Sequence, residues 1–410
     1  MIKILFLVLI SVNLGYKILK YALSAAQKKK PLPDNVKHIY NQEDYDRWSA
    51  YTAERKKISM LSTAAAFVID LILFGTDVYA VTYSAMPGGV YLKSILTVVL
   101  YTVVMTVLGL PFDYVSDLVI EEKYGFNKAT QKTFVSDEIK NFLVNVILTV
   151  GLLCAVIALY NTFGGMFVFG VYAILAAFIV VFSMLNMTFQ KLFNKFTPLE
   201  EGELRERLVE MFRQSGYELE DIFVMDASRR TTKVNAFCTG LGKFKKIVLY
   251  DNLVNNYTPG EIVAVFAHEL AHYKHKDTAK NTAYSLLMMA GITALIAAFV
   301  LIPEISLAYS FEDVNVMFAM QAALSSVTAP FLTLFLFPAS VMGRRFEYRA
   351  DAMAVEAGYG EDMISALTKL SKDNLSDLNP HPVIVALEHS HPTISQRFDA
   401  IEKKMKECRS

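Results

Sequence analysis

Long apolar blocks separated by polar loops dominate this chain. A window of about 19 residues marks seven of them, near 2–22, 58–86, 94–120, 141–160, 165–193, 282–305 and 322–343. Several exceed the roughly 20 residues that carry a helix through a bilayer, so tilt or extension beyond the membrane is expected. Periodicity alone does not separate a buried helix from a spanning one; here length decides for the membrane. The predicted fold class is an α-helical polytopic membrane protein with about seven transmembrane helices. Residues 1–193 form a membrane domain of about five spans. Residues 194–410 hold a small α+β unit, two further spans and a tail.

Between the fifth and sixth blocks the pattern changes. Thr197-Pro198-Leu199-Glu200 reads as a helix start, with threonine at the N-cap, proline at N1 and glutamate at N3, running to about Gln214 and stopping near Gly216. Three β-rich stretches follow, at 221–227, 234–240 and 246–253, each rich in residues that suit a strand. Thr258-Pro259-Gly260-Glu261 repeats the capping arrangement and opens the next helix.

Basic residues fix the orientation. The loop after the first block carries eight, from Lys28 to Lys57; the next carries only Lys93. The third carries Lys123, Lys128, Lys132 and Lys140, the fourth none, and the sixth none, while 194–281 and the tail are rich in them. This alternation fits the positive-inside rule for an odd number of spans. The amino terminus is then outside, and 194–281 and the tail are cytoplasmic. The first block also resembles a signal peptide, with ALSAA at 22–26 as a cleavage site. Lys17 and Lys20 interrupt that reading and favour an uncleaved anchor.

Composition narrows the partners to a bilayer. Hydrophobic residues make up 54% and charged residues 20%, below the roughly 25% usual in soluble domains. Forty basic residues balance forty acidic ones, which gives no electrostatic case for nucleic acid. Cys154, Cys238 and Cys408 are far apart, and no disulfide framework or cysteine metal site is expected.

The chemistry gathers in two short motifs. His268-Glu269-Leu270-Ala271-His272 lies in the helix that Thr258 caps. Histidines at i and i+4 share a face, so both imidazoles can reach one ion. Glu269, beside the first of them, can take a proton from an attacking water. The bland alternative is a surface helix with two exposed histidines. After the last span, Glu347 and Asp351 are four apart on one face. Glu347 completes two histidines and a carboxylate, with a fourth position open for water. Asp351 is placed to hold a ligand histidine by its other nitrogen. Taken alone, this second motif reads better as an ordinary amphipathic helix; with the first on the same membrane side, the metal reading leads. Arg344 and Arg345 could orient Glu347, bind a substrate carboxylate, or simply anchor the span. Asp70, inside the second block, suits a cavity-facing position or a span end. His38 and His381 are given no role.

These motifs resemble the zinc CAAX prenyl protease family, membrane metalloendopeptidases that trim prenylated proteins. The resemblance is carried by HELAH, by Phe346-Glu347-Tyr348-Arg349-Ala350-Asp351, by His389-Ser390-His391-Pro392, and by Ile120-Glu121-Glu122-Lys123-Tyr124-Gly125-Phe126-Asn127-Lys128. It implies one zinc ion on His268, His272 and Glu347, with Glu269 as general base and His391 steadying the oxyanion. Asn235 matches a position on a strand that holds substrate backbone. The implied fold is gluzincin-like, its spans enclosing a water-filled chamber with zinc towards the cytoplasm. The implied partner is a peptide or lipidated protein substrate. The chain departs from the family at Asp277, where a histidine is frequent; nearby His275 reads as a solvated or supporting residue rather than a ligand. Two other functions compete: a quality-control protease indifferent to lipid, and a transporter or binding protein with structural zinc. The membrane, endoplasmic reticulum or bacterial inner membrane, is left open. The tail ending Glu407-Cys408-Arg409-Ser410 carries no lipidation or retention signal.

Overall fold

The computed structural model of the chain describes residues 1–239 and 244–410; Gly240, the last residue of the second β-rich stretch, lies outside them. Among the described residues, seven helices are 24 residues or longer: Ile2–Gln27, Gln42–Gly75, Val90–Asp113, Gln131–Phe163, Phe167–Gln190, Asp277–Leu301 and Thr328–Glu356. They follow the seven apolar blocks. Length and composition single out five stretches able to cross a membrane, counting Gln131–Val181 as one. A straight helix of that length would run roughly 75 Å, far beyond a bilayer. Gly164 at φ 51° breaks it into two. In the Gln42–Gly75 stretch only 6% of the most apolar window is buried within the protein, as expected where lipid is the solvent.

The second block is shorter than its hydropathy suggests. The helix stops at Gly75 and a separate one covers Val78–Ala85. Asp77 lies at the break and pairs with Lys3 at 2.7 Å. Beside it, Phe6 of the first helix packs with Phe74, Tyr309 and Phe318 in the membrane core, and the Tyr309 hydroxyl donates to the Phe74 carbonyl at 2.9 Å. A cavity of about 410 Å³ lies between the membrane helices, and Thr102, Asn145, Thr149 and Gln321 line it together with Tyr79 and Tyr101. Polar side chains are expensive towards lipid and collect on such interior surfaces.

The polar interval folds into a four-stranded sheet in the order β1 (Phe196–Pro198), β2 (Glu218–Met225), β4 (Phe244–Tyr250), β3 (Ala236–Thr239). β2 and β4 are parallel; β1 and β3 flank them antiparallel. One expectation is corrected here. Thr197-Pro198 does not cap a helix but belongs to β1, and the helix starts later, at Glu203–Gln214. Phe196–Pro198 pairs with Phe223–Met225, and Leu199 N–H adds a bond to the Ile222 carbonyl at 2.8 Å. Strand pairing satisfies this backbone, and local capping propensity yields to it.

The Pro259–Lys274 helix begins where the sequence predicts. Thr258 accepts from the Glu261 N–H at 3.2 Å, and the Glu261 carboxylate accepts from the Thr258 N–H at 2.8 Å, a capping box with proline at N1. Its apolar side, Ile262, Val263 and Phe266, packs against Ile247, Leu249 and Phe212 under the sheet. A second cluster ties Trp48, Tyr51 and Phe126 of the amino-terminal half to Met363, Leu367 and Phe398 of the tail. Through Phe266 and Ala264 the Pro259–Lys274 helix is wedged between sheet and tail.

Candidate metal centre

Three helices from distant parts of the chain supply the site. Pro259–Lys274 brings His268 and His272 on one face, Thr328–Glu356 brings Glu347 and Asp351, and the tail helix Ile394–Arg409 brings Arg397. His268 Nε2 lies 3.3 Å from His272 Nε2 and 3.5 Å from Glu347 Oε2; His272 Nε2 lies 3.5 Å from Glu347 Oε1. Ligand atoms about 2.0–2.1 Å from a tetrahedral ion stand roughly 3.3–3.4 Å apart. The two Nε2 atoms and the Glu347 carboxylate, each nitrogen nearest a different oxygen, are therefore close enough to share one such ion, and among the described residues they are the one group of this kind.

The remaining nitrogens are committed elsewhere. His268 Nδ1 meets Asp351 Oδ1 at 2.9 Å and His272 Nδ1 meets Asp277 Oδ2 at 3.1 Å. Carboxylates at Nδ1 hold the proton there and turn the Nε2 lone pairs inwards. Among the described residues, no donor is aligned on the buried Glu347 Oε2, although His391 Nδ1 lies 2.9 Å away and Arg397 Nη1 3.5 Å away. Two inward-facing Nε2 atoms, each offering a lone pair once its proton is displaced, and a buried carboxylate oxygen fit a divalent cation. Burial works against charge on Glu347, yet the surrounding imidazoles of His268, His272 and His391 hold its carboxyl well below the usual range. Glu269 is partly exposed beside the buried His268.

The supporting shell contains two residues that motif reading did not assign. Arg397 is 8% exposed and grips Asp351 through Nε at 2.9 Å and Nη2 at 2.6 Å. Asp277, noticed only as a departure, anchors His272 and is itself held by Arg349 and by Lys280 at 3.4 Å. Its i+5 spacing from His272 was the available signal. Arg397 offered none, since a basic residue in a polar helix is ordinary. His275 lies at the C-cap of the motif helix, outside the cluster.

Arg344, considered for a substrate carboxylate, donates instead to the carbonyls of Val385 (2.7 Å), His389 (2.7 Å) and Ala386 (3.2 Å). It closes the end of the Pro382–Glu388 helix just before His391. A Cβ at Gly343 would stand 2.8 Å from the Ser390 carbonyl oxygen, so glycine lets this segment lie against the ligand helix. Asn235 is exposed at the start of the edge strand β3, and its carbonyl accepts from Tyr250 N–H at 3.2 Å.

Residues 198–405 match the model of peptidase family M48, and residues 22–195 match that of the CAAX prenyl protease N-terminal region, described as five membrane helices. The chain belongs to the M48 peptidases. A CAAX prenyl protease 1 homolog of Arabidopsis thaliana is 32% identical over 400 residues, covering 92% of each protein. CAAX prenyl protease 1 of Saccharomyces cerevisiae is 32% identical over 324 residues, 72% of this chain and 69% of that protein. The crystal structure of S. mikatae Ste24p superimposes with a TM-score of 0.91 at 25% identity, covering 98% and 99% of the two chains. This M48 protein is accordingly a multi-pass membrane metalloendopeptidase.

Proposed function

We propose that the chain holds one zinc ion on His268, His272 and Glu347 and hydrolyses peptide bonds near the carboxyl end of CaaX-type, prenylated substrates. The convergence of two Nε2 atoms and an orphaned carboxylate beside Glu269 carries the zinc-hydrolase reading. The CaaX assignment leans on what the relatives are called. Zinc bound there would polarise the scissile carbonyl and acidify water. Glu269 accepts the proton of the attacking water and passes it towards the leaving amine. His391, at the mouth of the site, donates to the developing oxyanion. Asn235 and β3 offer an open strand edge along which an extended substrate can pair. Asp351 and Asp277 orient the two imidazoles, and Arg344 positions the His391 segment. The basic loops favour a cytoplasmic site.

The direct test is cleavage of a farnesylated CaaX peptide and its unlipidated twin by purified protein of measured zinc content. Cutting of the lipidated peptide alone is expected. Equal cutting would replace the CaaX reading with a lipid-indifferent quality-control protease. Zinc bound without cleavage of either peptide would leave a structural metal.

Two further outcomes follow from the geometry. In Gly343→Ala the new methyl displaces Ser390 and with it His391. Turnover should fall by up to about a hundredfold, with zinc content unchanged; loss of zinc would show that the segment supports the ligands instead. The second concerns protons. Burial disfavours the His268 imidazolium, but Asp351 and Glu347 outweigh it and push its pKa up to about 9. At neutral pH zinc must then displace a proton. Apparent zinc affinity, measured by chelator competition, should rise about tenfold per pH unit from 6 to 8 and level off near 9. An affinity flat across that range would contradict the proton on His268.

A further inference from the structure

On the side of the membrane that carries the tail, three elements enclose a cleft of about 350 Å³. Its walls are the second half of the Ile2–Gln27 helix, the middle of Gln42–Gly75, and the short helix Pro382–Glu388. Lys17, Lys20 and Lys56 face into it with the hydroxyls of Ser24, Ser59 and Thr63. One positive charge is already used, since Lys20 bonds Glu388 at 2.9 and 3.0 Å and Tyr16 donates to the same carboxylate at 2.6 Å.

The other two ammonium groups are not spoken for. Lys17 and Lys56 make no hydrogen bond or ion pair among the described residues. Asp70 and Asp377 lie near enough to be felt by Lys17 and Lys56 respectively, without contact. Lys28 adds a further positive charge beside Lys56. Lys56 is half-buried. An ammonium desolvated without an anion is a cost that an arriving anion offsets. At the level of the cleft the first helix turns Ile18, Leu19 and Tyr21 outwards, 47%, 54% and 43% exposed, and Tyr21 also lines the cleft. A ligand that joins a phosphate to hydrocarbon would satisfy both surfaces, which a free phosphate would not.

We propose that this cleft binds the phosphate headgroup of an anionic membrane lipid between Lys17 and Lys56, with its acyl chains along the first helix. The wall formed by Ile384 and Glu388 belongs to the helix that leads into His391, so the lipid is held against the segment bordering the metal site.

The test uses full-length protein incubated with equal phosphatidylglycerol and phosphatidylcholine, with retained lipid read by native mass spectrometry. Wild type should retain phosphatidylglycerol selectively. Lys17→Ala/Lys56→Ala should lose about tenfold or more of that preference, while Lys29→Ala/Lys30→Ala, which removes the same charge outside the cleft, should keep it. Equal loss in both double variants would reduce the effect to general surface charge and overturn the site. So would unchanged retention in the cleft variant. Glycerol phosphate displacing the lipid at equal concentration would assign the cleft to soluble phosphate. An altered peptide KM with unaltered lipid retention would assign it to a substrate carboxylate. Either result overturns the lipid.

Discussion

Glu269→Gln should leave a protein that binds one zinc per chain and hydrolyses peptide about 10²- to 10⁴-fold more slowly than wild type. That range corresponds to roughly 2.7–5.4 kcal/mol in the barrier. Glutamine keeps the shape and polarity of the side chain but has no basic oxygen for the proton of the attacking water. The metal should be unaffected, because the ligand set is His268, His272 and Glu347, and Glu269 is not part of that cluster. Zinc content and single-turnover cleavage of a farnesylated peptide separate the two effects. Activity within about tenfold of wild type, with zinc bound, would remove Glu269 from the chemistry and revive the structural-metal alternative. Loss of zinc together with activity would instead place Glu269 in the metal's support.

Why was so much of this site legible beforehand? Both histidines lie within one turn of one helix, where spacing alone dictates a shared face. Glu347 and Asp351 have the same i, i+4 relation. Each pair is local, and only their meeting is tertiary. The membrane helices were visible for a similar reason, since hydrocarbon demands a long uninterrupted apolar run. Failures cluster where a tertiary partner overrides a local signal. Thr197-Pro198 carries good capping chemistry, yet the β2 edge claims its backbone. Arg344 reads as a partner of Glu347, a substrate contact or a span anchor, and three carbonyls some forty residues downstream take its guanidinium. The break at Thr76-Asp77 was hidden because a window average smooths over a single acidic residue, here neutralised by Lys3 from another helix.

Arg397 is the extreme case of that kind, and its removal is expected to have the second large effect. It stands 46 positions beyond Asp351 in sequence, on a tail helix whose pattern is otherwise a solvated face with a few apolar anchors. In the fold it is buried, and its fork meets both oxygens of an Asp351 that is 1% exposed. Asp351 in turn holds Nδ1 of His268. In Arg397→Leu, Asp351 is left as a buried carboxylate with only that imidazole for a partner. Breaking a buried pair on one side costs about 3–5 kcal/mol, so the unfolding midpoint in detergent should drop sharply. His268, no longer held by a fully ionised partner, should bind zinc about 10- to 100-fold more weakly. Arg397→Lys restores charge but not the two-pronged geometry, so it should recover part of the stability and little of the zinc affinity. If Arg397→Leu instead unfolds and binds zinc like wild type, Asp351 does not need the guanidinium, and the metal site is supported from the Thr328–Glu356 helix alone.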